Sequence, residues 1–185
     1  MAIRDLEASY AEDQNWAKAD ETLLMLGESH QRNGDPISAK RTYQQFLQEL
    51  PSSRLKAQVQ YKLAQLTASE GDLSSALKQY RSITSDPSAA SFHSFSMYGA
   101  AWCLMQQGDF RQAHDELQPL LNRQLQDSIG SEALLAEGVC LRNLGRSSEA
   151  VDALRRFLDR RPTGTSLANG LYELSLALTD LKRPL

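Results

Sequence analysis

Cys103 and Cys140 are the only two cysteines in the 185-residue chain, and 37 residues separate them. Two thiols can act as a disulfide or redox pair when their Cα atoms come within about 7 Å. His30, His93 and His114 are the three imidazoles, and the run His114-Asp115-Glu116 sets a base beside two carboxylates. Adjacent side chains on a helix point to different faces, so that triplet does not converge on one substrate atom. The chain contains no C-x-x-C, no H-E-x-x-H and no G-x-S-x-G. It therefore carries neither the ligand spacing of a common metal site nor a nucleophile elbow. These residues predict no catalytic residue, no metal and no cofactor.

Two other features have chemical content. Phe95, Tyr98, Trp102 and Met105 are spaced 3, 4 and 3 apart, which on a helix makes one stripe of three aromatics and a thioether. Such a stripe is either core or an exposed binding face. Glu137 is the odd residue in a column that otherwise reads Leu26, Leu63, Ala100 and Leu174 at intervals of 37. A buried, unpaired carboxylate costs several kcal/mol or stays protonated, in the order of a few pKa units of penalty. Glu137 is expected to tilt to the rim and pair with an arginine.

The elements that must hold these residues follow from a repeat. "GDPISA" begins at Gly34, "GDLSSA" at Gly71, "GDFRQA" at Gly108 and "GRSSEA" at Gly145. An alanine column reads Ala39, Ala76, Ala113, Ala150. A small-residue column reads Gly27, Ala64, Ala101, Gly138 and continues to Ser175. Tyr43, Tyr80, Leu117, Leu154 and Phe46, Ile83, Leu120, Phe157 form two further columns. Spacings of 3, 4 and 7 between columns are helical, and a fixed period of this size marks a repeat architecture. Each copy is read as two helices, A and B. Glycine ends helix A in the left-handed conformation, and Asp35, Asp72 or Asp109 caps helix B. In the fourth copy Arg146 takes that place, and Ser147 or Ser148 is expected to cap instead. Helix B ends at Pro51, near Pro87 and at Pro162. Pro119, inside the third helix B, predicts a kink near 115–119 or an early end. The cysteines share one column. Equivalent helices lie roughly 8–10 Å apart, so both are read as small core residues with free thiols. His30 takes a core position and is read as a hydrogen-bonded imidazole rather than a ligand.

Composition narrows the function classes. The chain is 41% hydrophobic and 23% charged, with a net charge of −3, so it offers no broad attraction to nucleic acid or anionic lipid. No apolar run approaches the ~18 residues of a membrane helix, and no membrane insertion is expected. The first 20 residues show no apolar signal segment. The compartment is left open between the bacterial periplasm or cell envelope and the cytoplasm.

Small at place eight, glycine at fifteen, alanine at twenty, aromatic or leucine at twenty-four and proline at thirty-two resembles the tetratricopeptide repeat. Counted from Asp20, those places hold Gly27, Gly34, Ala39, Tyr43 and Pro51. Departures are the 37-residue period in place of 34, Gln60 at place four and Glu137 at place seven. Phrases such as "QQFLQELPSSRLKAQVQYKLA" are more weakly similar to the repeats of bacterial outer-membrane assembly lipoproteins and Tol–Pal accessory proteins. The resemblance implies an all-α fold: a right-handed helical-hairpin solenoid, tetratricopeptide-like, forming one array over 1–185. The expected divisions are a partial helix B at 2–13, repeats at 16–51, 53–87, 90–125 and 128–162, and a lone helix A at 166–181. Both ends then look cut from a longer repeat protein.

In this family helix A lines a concave groove, so the resemblance implies ligand-binding places at Tyr61, Phe95, Tyr98, Trp102, Met105, Leu135, Arg142 and Tyr172. The Lys/Asn set by which related domains clamp a C-terminal carboxylate is absent from those places. The first expectation is a non-catalytic scaffold that binds a protein or peptide, with no nucleic-acid partner. The second is a self-associating structural segment: helix 166–181 is apolar on most sides (Leu167, Leu171, Leu174, Leu176, Leu178, Leu181), and would form a homodimer. The third is a recruiting or regulatory segment of a larger enzyme.

Overall fold

The computed structural model describes residues 2–12, 18–123 and 127–182. The described residues form an all-α chain: α1 (Ala2–Glu12), α2 (Ala19–Arg32), α3 (Pro36–Glu49), α4 (Lys56–Ser69) and α5 (Leu73–Ser85), then a 3-10 helix (Pro87–Phe92). After it come α6 (His93–Gln106), α7 (Phe110–Leu121), α8 (Ser128–Asn143), α9 (Ser147–Asp159) and α10 (Gly164–Leu181). The chain divides into two compact units, Met1–Phe92 and His93–Leu185. Residues 13 and 16–17 of the expected first divisions, and Leu125 of the third, lie outside the described residues.

The corner of each hairpin follows from its sequence. Gly34, Gly71, Gly108 and Gly145 all have positive φ, between 75° and 87°. In the first, third and fourth corners the next residue's N–H bonds back to the carbonyls of His30, Leu104 and Leu141, the bond that closes a helix on a left-handed glycine. Asp35, Asp72 and Asp109 then accept from the N–H groups of Ser38, Ser75 and Gln112 at 3.0–3.1 Å. The fourth corner departs from the expectation. Ser147 and Ser148 lie inside α9, and its N-cap Arg146 makes no side-chain cap bond. Arg146 instead grips Glu149, one turn in, through Nε at 2.7 Å and Nη2 at 2.5 Å. Pro119 does not end its helix early: α7 runs two residues past it to Leu121. Proline there removes one backbone bond near the helix end, where few bonds remain to lose.

In the first unit, α2 pairs with α3 and α4 with α5, while α1 packs on α2 and α3 on α4. In the second, α6 pairs with α7 and α8 with α9; α7 packs on α8, and α10 lies on α9 and α8. The helix B columns are the core. Ala39, Ala76, Ala113 and Ala150 are fully buried, as are Tyr43, Leu117, Leu154, Phe46 and Phe157. The small-residue column admits them. A Cβ on Gly27 would meet Tyr43 Cε1 at 2.3 Å, and one on Gly138 would meet Leu154 Cγ at 2.5 Å. A second small column runs five residues earlier along helix A. Thr22, Val59, Ser96, Ala133 and Gly170 are all buried, and Gly170 abuts Phe157 of the preceding helix B. The first column is thus the seam of α2 and α8 with their own helix B, and at Gly170 the second is the seam of α10 with the helix B before it.

Candidate functional site

The second unit sets three A helices in a row, with α8 against both α6 and α10. On α6 the buried face is Ser96, Gly99, Ala100, Ala101, Cys103 and Leu104. Small side chains there let α7 and α8 approach closely, so the large ones are left on the other face. Trp102 is 39% exposed and Phe95 40%, while Ala101 and Cys103 on either side of Trp102 are wholly buried. Tyr98 and Met105 are half-buried.

The other expected places behave differently. Leu135 on α8 is buried and belongs to the core cluster of Leu134, Leu141, Leu154 and Phe157, so it is not a surface contact. Arg142 is held within the unit. Its Nε donates to Glu173 Oε2 at 2.9 Å and its Nη1 lies 4.0 Å from Asp180 Oδ2. Both ends of the Arg142–Glu173 pair are mostly shielded, and the pair ties α8 to α10. Glu173 and Asp180 were missed in the sequence, because nothing in their local pattern points to residue 142. Tyr172 is 64% exposed on α10. Tyr61 belongs to the first unit, where its ring lies 5.9 Å from Tyr80 and 5.7 Å from Phe92, centroid to centroid. Its hydroxyl accepts from Gln65 Nε2 at 3.1 Å, and burial pushes its pKa up.

On α10, Gly170, Leu174 and Ala177 turn inward, Leu174 against the core cluster. Leu171, Leu178 and Leu181 are exposed beside Tyr172. Leu174 is thus part of the packed face, not of the uncovered one.

The thiols are inert by environment. Cys103 and Cys140 are buried and unpaired with each other. Burial raises Cys103 to about 11; burial, with the Glu137 charge beside it, raises Cys140 to about 12. A thiol that stays protonated is neither nucleophile nor metal ligand. His30 Nδ1 lies 3.9 Å from Asp35 Oδ2 at the first corner. Among the described residues, no group of three or more His, Cys, Asp or Glu side chains could hold a metal ion, and no helix is long and apolar enough to cross a membrane. Glu137 lies 3.7 Å from Arg156.

With this geometry in hand, the comparisons agree on the architecture. The profile of the family described as Tetratricopeptide repeat matches residues 24–90 and 98–165. Solved structures share the fold. A tetratricopeptide repeat protein from Parabacteroides merdae has a TM-score of 0.72 at 15% identity, over 97% of this chain and 70% of that one. MamA gives 0.71 at 18%, over 86% of each chain. YrrB, described as a TPR protein with an unusual peptide-binding site, gives 0.63 at 16%, over 95% of this chain and 91% of its own. No curated relative matches the chain in sequence.

Proposed function

The chain belongs to the tetratricopeptide repeat family, whose fold is that of a protein-interaction scaffold, and from that premise we propose that it is a non-catalytic scaffold holding a peptide or protein segment on the A-helix face of its second unit. The observation that carries this is the exposure of Trp102, 39%, between two fully buried neighbours, with Phe95 exposed two turns before it. Aromatic side chains supply large apolar area at low rotamer cost and are frequent energetic anchors. Tyr98 and Met105 border them, and Tyr172 stands on α10. Arg142 acts here as the brace between α8 and α10, so the ligand needs spaced apolar side chains rather than an acidic group. Tyr61 belongs to the first unit's own aromatic cluster and stands as a separate candidate contact there. YrrB shows that this fold can carry a peptide site; at 16% identity the likeness is one of fold.

The test is selection from a random peptide library, read on a Trp16→Phe background that leaves Trp102 as the sole indole. Selected peptides are expected to shift Trp102 emission and to bind Trp102→Ala at least about tenfold more weakly. Peptides that bind Trp102→Ala and Phe95→Ala with parental affinity place the site elsewhere.

One observation supports a second reading, self-association. Leu171, Leu178 and Leu181 leave one side of α10 apolar and exposed, and exposed patches of that kind mark contacts.

A further inference from the structure

The opposite face of α8 from Arg142 carries Glu137, and there α7, α8 and α9 line an open groove of about 340 Å³. Its walls include Leu141 and Ala153, and its polar groups come from all three helices and the corner before α9: His114, Gln118, Glu137, Arg146, Glu149, Asp152 and Arg156. The same groove occurs three periods earlier, between α1, α2 and α3, with a volume of about 310 Å³. There Leu26 stands where Glu137 stands here, and His30, Ser38, Arg41, Thr42 and Gln45 match Leu141, Glu149, Asp152, Ala153 and Arg156 one for one. The groove thus occurs once in each unit, and only the second carries a carboxylate at this column position.

That carboxylate is incompletely satisfied. Its side chain is 13% exposed, and Oε2 is buried without a hydrogen-bond partner. Arg156 Nη1, at 3.7 Å, is near enough to neutralise it in part but too far to donate to it. Burial raises the Glu137 pKa, and Arg156, His114, Gln118 and Arg146 pull it partly back. Arg146 is committed to Glu149 through two bonds. What faces the groove is the partly exposed Glu137 side chain, the exposed Asp152 carboxylate at the rim, and apolar walls at Leu141 and Ala153. Three carboxylates face two guanidinium groups, which disfavours an anion.

We propose that the α7–α8–α9 groove binds an aliphatic primary ammonium, its stem along Leu141 and Ala153 and its N–H groups donating to the carboxylates of Glu137 and Asp152. Ammonium suits the site because it is a compact donor on a narrow apolar stem, with three N–H groups to share between two carboxylates. A pocket of this size takes one such side chain. The chemistry could come from a lysine of a partner segment or from a free alkylamine. This inference concerns α7, α8 and α9 alone and stands whether or not the Trp102 face binds a peptide.

The experiment is an amide NMR titration of the full chain with three probes: Nα-acetyl-lysinamide, n-butylamine, and Nα,Nε-diacetyl-lysinamide. Saturable shifts are expected at Glu137, Leu141 and Asp152, with a dissociation constant of the order of 1 mM for the charged probes. The diacetyl probe is expected to leave those signals unmoved. Tighter binding of the lysinamide than of butylamine identifies a peptide lysine as the source; equal binding identifies a free amine. Glu137→Leu restores the column's usual residue and keeps the fold, and it should weaken binding at least about tenfold. Glu137→Gln, which keeps the shape and removes the charge, should do the same. Non-saturable shifts, an equal response at Leu26 and Arg41, or unchanged binding in either variant overturns the proposal.

Discussion

Gly170 of α10 stands against the ring of Phe157 of α9: a Cβ built on it would fall 2.2 Å from Phe157 Cε1. Phe157 is fully buried and has no room to swing away. In an exposed helix interior, glycine to alanine stabilises by about 1 kcal/mol. Here the contact should reverse the sign, and Gly170→Ala should cost about 1–3 kcal/mol through overpacking. Urea denaturation checks this, with exposed Asn169→Ala as the control, expected within about 0.5 kcal/mol of the parent. A Gly170→Ala protein more stable than its parent would mean that α10 does not seat on Phe157.

That contact also marks the limit of what the sequence made legible. The columns at Ala39, Tyr43 and Phe46 and their 37-residue successors were readable, because close packing of A on B filters the same residue types at every copy. The column Thr22, Val59, Ser96, Ala133, Gly170 was not, because it mixes polar, branched and small residues whose shared property is only limited size. The stripe Phe95–Tyr98–Trp102–Met105 was visible as a stripe, and its largely outward placement on α6 followed from the small residues opposite. The surroundings of Leu135 and Arg142 were not legible for one reason. Each has a partner on a distant element, the core cluster for Leu135 and Glu173 for Arg142, and a periodic pattern on one helix cannot report that.

Two carboxylates should give pH dependences of opposite sign. Asp72 bonds its side chain to Ser75, and this holds its pKa below the usual carboxylate value. A carboxyl lowered in the folded state contributes stability above its unfolded pKa and loses it as pH falls through the folded one. Glu137 is raised by burial, so its contribution is full below the unfolded pKa and is lost as pH rises through the folded one. Glu137→Leu should therefore raise the melting temperature by several degrees at pH 7 and by less at pH 4. Asp72→Asn should keep the cap geometry while flattening the acid limb. Thermal melts at pH 7 and pH 4 decide the Glu137 prediction, and melts carried below pH 4, down to about pH 2, decide the Asp72 one; an advantage of Glu137→Leu that grows toward pH 4 would contradict the assigned direction.

Self-association through α10 predicts a concentration-dependent mass in light scattering. Leu171→Glu and Leu178→Glu lie on the exposed side and should shift the chain toward monomer without changing its helical circular dichroism. Leu174→Glu is a poor probe, since Leu174 packs on the core and a charge there should unfold α10. A monomer at every concentration, or dimers unaffected by Leu171→Glu with Leu178→Glu, rules the α10 contact out.

Arg142 and Trp102 separate bracing from binding. Arg142→Met removes the 2.9 Å bond to Glu173 and leaves a shielded carboxylate without its donor, which should cost about 1–3 kcal/mol. Peptide affinity should stay within about threefold of the parent, because in the proposed function Arg142 braces α8 against α10; a threefold change is about 0.65 kcal/mol. Trp102→Ala should do the reverse. Trp102 is 39% exposed and the helix beneath it is packed by Ala101 and Cys103, so stability should fall by less than about 1 kcal/mol, as for surface positions. Binding of a library-selected peptide should drop by about 2 kcal/mol or more. Urea denaturation and isothermal titration on the same two variants give the four numbers. If Arg142→Met is the variant that loses the peptide and Trp102→Ala the one that unfolds, the roles assigned to these two residues are interchanged and the A-helix face of the second unit is not the binding surface.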